Sequence, residues 1–260
     1  MMLPTVAIVG TGNVAWHLSL AFHHAGIKVK SIANRDLYKS EKFISEQGIT
    51  AVPKNLDDPL EADIIFLCLS DKALLKIIET VNFSDQTLVV HTSGSHPLSV
   101  FKGRNYQEFG VFYPFQTFTK EKRINFREVP IFVEGSSEET ENRLTELAKV
   151  LSGTVHRMNS SSRMKLHIAG IFASNFTNLV LWESDKILAS IGLERDIIQP
   201  LVDETVSKAF SIGPADGQTG PAARGDLEIV EKHEAFLEGT PLAILYKKIS
   251  DQIMENIKEK

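Results

Sequence analysis

The chain has 260 residues, 43% hydrophobic and 23% charged, with a net charge of −5, a balance that suits a water-soluble protein with one large core or two modest ones. That charge, with no basic cluster along the chain, argues against a nucleic-acid partner, and the most apolar later stretch, 168–182, is too short and too polar to span a bilayer. Met1–Pro4 enter an apolar run at once, without a charged n-region or an apolar signal core, so the expected location is cytoplasmic.

In chain order, Val6–Val9 reads as a strand that passes directly into Gly10-Thr11-Gly12-Asn13-Val14-Ala15, followed by a helix over 13–24 and a second strand over Val29–Ala33. The three small positions of such a G-x-G-x-x-A turn have separate physical jobs. Gly10 permits the tight turn, Gly12 lets backbone N–H groups approach a pyrophosphate, and Ala15 keeps the helix close to its strand. The positive end of the helix dipole then faces the phosphates.

The second strand ends in Asn34-Arg35, where NAD-binding chains normally carry a carboxylate for the adenine ribose. An amide followed by a guanidinium suits a 2′-phosphate, so NADP is favoured over NAD. The competing reading makes Arg35 a solvated loop residue and gives the NAD task to Asp36, which is also placed to cap a helix over 37–47.

Further strands are expected at Ile64–Leu69, Leu88–His91, Glu108–Phe112, Ile131–Glu134 and Thr154–Arg157, with helices over 72–80 and 138–151. This alternation predicts a doubly wound, mostly parallel α/β sheet of the Rossmann type. The single cysteine, Cys68, lies inside an apolar run and reads as a buried, inert thiol. Leu69 and Ser70 at one strand end, and His91 and Ser93 at the next, complete the cofactor-facing set. The loop His91-Thr92-Ser93-Gly94 either contacts the nicotinamide and substrate or only satisfies its own backbone. Tyr113-Pro114-Phe115 has the same positional argument, weakened because aromatic residues around a proline often only pack.

After residue 157 the alternation stops, and helices are expected over 161–191, 194–211, 226–239 and 241–257. The expected domains are therefore 1–157, binding the dinucleotide, and 158–260, all-helical. The last helix carries an apolar stripe of Leu242, Leu245, Ile249 and Ile253, to be buried within the subunit or against a second copy. On a regular helix His167, Ser174 and Asn178 fall within about 20° of one another, because eleven residues make almost three turns, and Asn175 borders them. Such polar groups among apolar neighbours indicate a polar site, with His167 as general acid, donating a proton as hydride reaches a carbonyl or imine carbon, in a crevice expected between the sheet and the helical domain. The alternative is a hydrogen-bonded core histidine. The loop 213–226 is long and rich in glycine and proline, and within it Arg224 is either a clamp for a substrate anion or the local partner of Asp226.

These residues resemble a family of bacterial proteins with a Rossmann-like N-terminal domain and a C-terminal helical domain of unknown function, classed as NADP oxidoreductases. The resemblance spans nearly the whole chain and rests on Gly10–Ala15, His91–Gly94, His167–Asn178, and Thr219–Asp226 with His233. More distantly the chain is similar to pyrroline-5-carboxylate reductase, ketopantoate reductase and the β-hydroxyacid dehydrogenases, whose helical domains, of the 6-phosphogluconate dehydrogenase C-terminal type, form dimers. The kinship implies NADP-dependent reduction of a small carbonyl or imine compound and a homodimer through the helical domain. The first reading is therefore an NADP-dependent oxidoreductase transferring a hydride to or from a small anionic metabolite, with His167, Asn175, Asn178 and Arg224 completing the site and no metal. The chain departs from the hydroxyacid and ketopantoate enzymes at Lys165, which is followed four residues later by Ala169 where they carry an asparagine, so their substrates do not transfer. A non-catalytic NAD(P) sensor or scaffold is the second reading.

Overall fold

The computed structural model describes residues 3–81 and 83–259. They form two compact units, one ending at Asn175 and the other beginning at Phe176.

The first unit is built on an eight-stranded sheet of order β3-β2-β1-β4-β5-β6-β7-β8. Its strands are β1 (Val6–Val9), β2 (Val29–Asn34), β3 (Val52–Asn55), β4 (Ile64–Leu67), β5 (Leu88–His91), β6 (Phe109–Pro114), β7 (Ile131–Gly135) and β8 (Val155–Arg157). All neighbours are parallel except β6 and β7. β1, β4 and β5 are buried throughout, as strands covered on both faces must be, and this explains their unbroken apolar sequences. Val6 and Ile8 face the core that includes α1 (Asn13–His24), α2 (Leu37–Gln47) and α4 (Glu138–Leu151), whereas Ala7 and Val9 face the core that includes α3 (Asp71–Thr80).

The expected doubly wound sheet is present, with one strand more than the sequence predicts. β3 carries Pro53, which has no N–H for a ladder, and it is tolerated because β3 is an edge strand paired only with β2. Caps follow the sequence closely. Asp36 accepts from Tyr38 N at the start of α2, Ser137 accepts from Thr140 N at the start of α4, and Asn159 accepts from Ser162 N at the start of α5 (Ser160–Gly170).

After α5 the helix widens into a π turn over Ile171–Phe176. A π turn inserts one residue into the α-helical register, so a face that repeats at i and i+7 repeats here at i and i+8. The expected alignment of Ser174 with His167 is thereby corrected, and Asn175 takes that place.

The second unit contains α6 (Thr177–Ser190), α7 (Gln199–Ile212), α8 (Pro214–Gly217), α9 (Pro221–Arg224), α10 (Leu227–Leu237) and α11 (Leu242–Lys258), and no strand among the described residues. Residues 213–226 are not the irregular loop that the sequence suggests. Pro214 and Pro221 each occupy the first position of a single helical turn, a place that needs no N–H, and Gly213 and Gly220 precede them at φ 91° and 105°. α9 and α10 pack on α11, whose Leu242, Leu245, Ile249 and Ile253 line an apolar cavity of about 280 Å³. No described helix is long and apolar enough to cross a membrane.

Candidate active site

β1, β4, β5 and β6 run parallel, so their carboxyl ends lie on one side of the sheet, and the segments that follow them share that edge. After β1 comes the glycine turn. Gly10 has φ 111°, and a Cβ there would sit 2.2 Å from the Cys68 carbonyl oxygen, so only glycine fits. A Cβ on Gly12 would meet nothing within 4 Å, which leaves open space in front of the turn. Ala15 is fully buried beneath α1. Gly12 is the N-cap of α1 and has no capping side chain, so the first N–H groups of the helix are left to an outside acceptor. The donor set and the space fit a dinucleotide pyrophosphate.

Thr11 and Asn34 join the turn to the end of β2. The Asn34 amide donates to Thr11 Oγ1 at 2.9 Å, and its carbonyl oxygen accepts from Asp36 N at 3.2 Å. Beside them lies a cleft of about 380 Å³ lined by Gly10, Asn34, Arg35, Asp57, Leu69 and Lys76, among others. Arg35 is exposed and joins no ion pair among the described residues. Asn13 Nδ2 donates to the Phe118 carbonyl at 2.8 Å. Val14 packs against the core, and Ser70 is the N-cap of α3. Cys68 is buried, and burial pushes its thiol up to about 12, as an inert core cysteine requires.

The loop after β5 is held from both ends. His91 is fully buried, with its ring stacked on Phe101 at 5.6 Å and its Nδ1 accepting from Ser93 N at 3.2 Å. Burial, helped by the Arg163 and His96 charges, pushes its pKa down to about 3, so this imidazole is neutral at neutral pH. Ser93 and Ser95 hydroxyls donate to the two oxygens of Asp71, at 2.9 and 3.0 Å.

Gly94 then meets two side chains. Tyr113 Oη, from the end of β6, lies 3.0 Å from His167 Nδ1 on α5, and a Cβ on Gly94 would come within 2.7 Å of that nitrogen and 2.8 Å of the phenol oxygen. Loop, strand end and helix therefore converge on one hydrogen-bonded pair. Burial pushes the Tyr113 phenol up to about 12, so it remains protonated and fixes the imidazole through Nδ1. One turn before His167, fully buried Arg163 pairs with Glu134 of β7 and donates to the His96 carbonyl at 2.7 Å. Glu134 also accepts from Ser160 N and Oγ at about 3.0 Å. This network ties α5 to the loop that carries Gly94.

The sequence-predicted residues divide between the units. His167 and Asn175 belong to the first; Asn175 is exposed. In the second unit Asn178 lines a depression of about 450 Å³ with Trp182, Asp185 and Arg195. Arg224 Nε donates to Asp226 at 2.9 Å, the local pairing that the sequence left open. Asp226 therefore stands at the N-cap of α10 without capping it through its side chain. Sequence reasoning underrated Tyr113 and overlooked Glu134 and Arg163. The position of Tyr113 at a strand end was its available signal, whereas Arg163, in the polar run Ser160-Ser161-Ser162-Arg163, reads as solvated.

Comparison with known proteins accords with this architecture. Residues 5–94 match the family described as "NADP oxidoreductase coenzyme F420-dependent", and residues 129–253 match "Domain of unknown function (DUF2520)". A "putative NADP oxidoreductase" of Bacteroides fragilis is 31% identical, with 97% of this chain and 98% of that one covered and a TM-score of 0.89. The chain belongs to this NADP oxidoreductase family. Two solved structures share its fold at 13% identity. They are a 1-pyrroline-5-carboxylate reductase of Streptococcus pyogenes (99% of each chain, TM-score 0.64) and a reductive aminase of Aspergillus terreus in complex with NADPH and ethyl-5-oxohexanoate (99% and 95%, TM-score 0.73). No curated protein matches. As a member of this family the chain is an NAD(P)-dependent oxidoreductase with a Rossmann-type sheet.

Proposed function

We propose that the protein is a cytoplasmic enzyme that uses NADP to reduce a small anionic carbonyl or imine compound, with His167 as proton donor. The observation that carries this reading is the Tyr113–His167 pair pressed against Gly94, on the sheet edge that also carries the glycine turn. When bound, the dinucleotide supplies the hydride. A protonated His167 donates through Nδ1–H to Tyr113 Oη and through Nε2–H to the substrate oxygen or nitrogen as charge builds there. After the transfer the neutral ring keeps its Nδ1–H on Tyr113 and so stays in place. Asn175, which the π turn brings onto the helix face of His167, is the proposed orienting amide.

The preference for NADP over NAD rests on the cations Arg35 and Lys76, which line the cleft beside the end of β2, and on Asp36, whose carboxylate accepts from Tyr38 N as the N-cap of α2. Asp57, also on that cleft, opposes the preference with its charge. A homodimer through the helical unit is supported by its exposed apolar side chains: Phe210 is 90% and Phe236 88% exposed. Among its described residues only Ala222, Val230 and Ser250 are buried, too small a core to be left uncovered.

The direct test follows NADPH consumption across a panel of small keto acids and cyclic imines, with Gly94→Ala and Tyr113→Phe alongside wild type. A substrate whose turnover falls at least tenfold in both variants with unchanged NADPH affinity supports the reading. NADPH binding without turnover of any member favours a nucleotide sensor.

A further inference from the structure

We propose that the first unit carries a second ligand site, for an amphipathic organic anion, in a cavity that does not include the glycine turn. The cavity measures about 640 Å³, within the range of small-molecule pockets, and is bounded by α1 from Trp16 onward, residues 120–127 and the end of α4. Its walls are largely apolar, with Leu20, Ala21, Phe126, Val150 and Leu151 as the principal surfaces.

The cations at its rim are unequally engaged. Arg127 donates to the Lys149 and Val150 carbonyls that end α4, at 3.4 and 3.1 Å, and is thereby occupied. Lys120 Nζ lies over the rings of Trp16 and Phe43 at 5.0 and 5.6 Å, and Arg123 is exposed. Neither Lys120 nor Arg123 joins an ion pair among the described residues. Two cations with no carboxylate partner among the described residues, beside an apolar wall, complement a molecule with one anionic head and an apolar body.

The walls are also pre-formed. The Gln47 amide donates to the Trp16 carbonyl at 2.7 Å and accepts from Ser19 Oγ at 2.6 Å, which fixes α1 to α2. His17 donates through Nε2 to the Thr119 carbonyl at 2.8 Å, and its ring stacks on Phe118. The segment that carries Lys120 is thus pinned to α1, so a ligand has little ordering left to impose.

Decanoate is a suitable probe, read by Trp16 emission in a Trp182→Phe background, since these are the chain's two tryptophans. The expected result is saturable binding below about 1 mM that NADP does not displace, at least tenfold tighter than decanol, which has the same body without the charge. Lys120→Met with Arg123→Met removes that tenfold advantage, and Lys120→Arg with Arg123→Lys retains it. Absence of saturable binding, displacement by NADP, or equal binding of decanoate and decanol overturns the proposal. These readouts need no substrate, so they stand or fall independently of the proposed reaction.

Discussion

Replacement of Arg163 by Met tests whether Arg163 and Glu134 form one coupled buried pair that fixes α5 to the sheet. Arg163 is 1% exposed and its partner Glu134 has a 14% exposed side chain, so breaking the pair leaves a charge with little water to replace the lost partner. Breaking such a pair costs about 3–5 kcal/mol. Glu134 keeps its two Ser160 bonds, which places Arg163→Met near the lower end, about 3 kcal/mol. Glu134→Gln strands a guanidinium that does not deprotonate, which places it near the upper end, about 5 kcal/mol. The double replacement removes both charges and is expected to cost less than the sum by at least about 2 kcal/mol. Urea unfolding is followed by Trp16 emission in a Trp182→Phe background, which places the reporter in the first unit. Single losses below about 1 kcal/mol, or strict additivity, would refute the claim that these groups form one coupled buried pair.

Other consequences are measurable without knowing the substrate. Arg35→Ala is expected to weaken NADPH roughly tenfold or more while changing NADH less than about twofold, by isothermal titration; equal losses defeat the cofactor preference. Burial holds His91 near pKa 3 against about 6.5 in the unfolded chain, so between those pH values the unfolded state binds the extra proton and stability falls as pH drops. The full effect is on the order of 5 kcal/mol, and His91→Phe is expected to flatten the acid limb by one proton in pH-dependent urea unfolding; an unchanged limb contradicts the burial argument. Sedimentation is expected to find a dimer that dissociates more readily after Phe210→Asp with Phe236→Asp, whereas a monomeric wild type removes the proposed partner.

Central strands were legible because β1, β4 and β5 are buried on both faces and must be apolar without interruption, and the turn after β1 was legible because Gly10 and Ala15 answer steric demands that few residues meet. β3 was not, since Pro53 makes an edge strand look like a loop. The face shared by His167 and Asn175 was hidden for a different reason: a helical wheel assumes a constant turn, and no residue type in 171–176 announces a π insertion. Tyr113 had an informative position and an uninformative neighbourhood. The Glu134–Arg163 pair joins residues 29 apart in a polar sequence context, and only the tertiary structure brings them together.

The central claim is that His167, held by Tyr113, delivers the proton that accompanies hydride transfer. The most direct measurement is the pH dependence of kcat for NADPH-driven reduction of a substrate found in the panel, compared between wild type and His167→Gln. The account predicts a wild-type kcat that falls as the pH rises, as for any step that needs a protonated general acid. The variant is expected to be slower by about 10²–10⁴-fold, without that limb and with unchanged NADPH affinity. Equal kcat and an unchanged profile in the variant would contradict it.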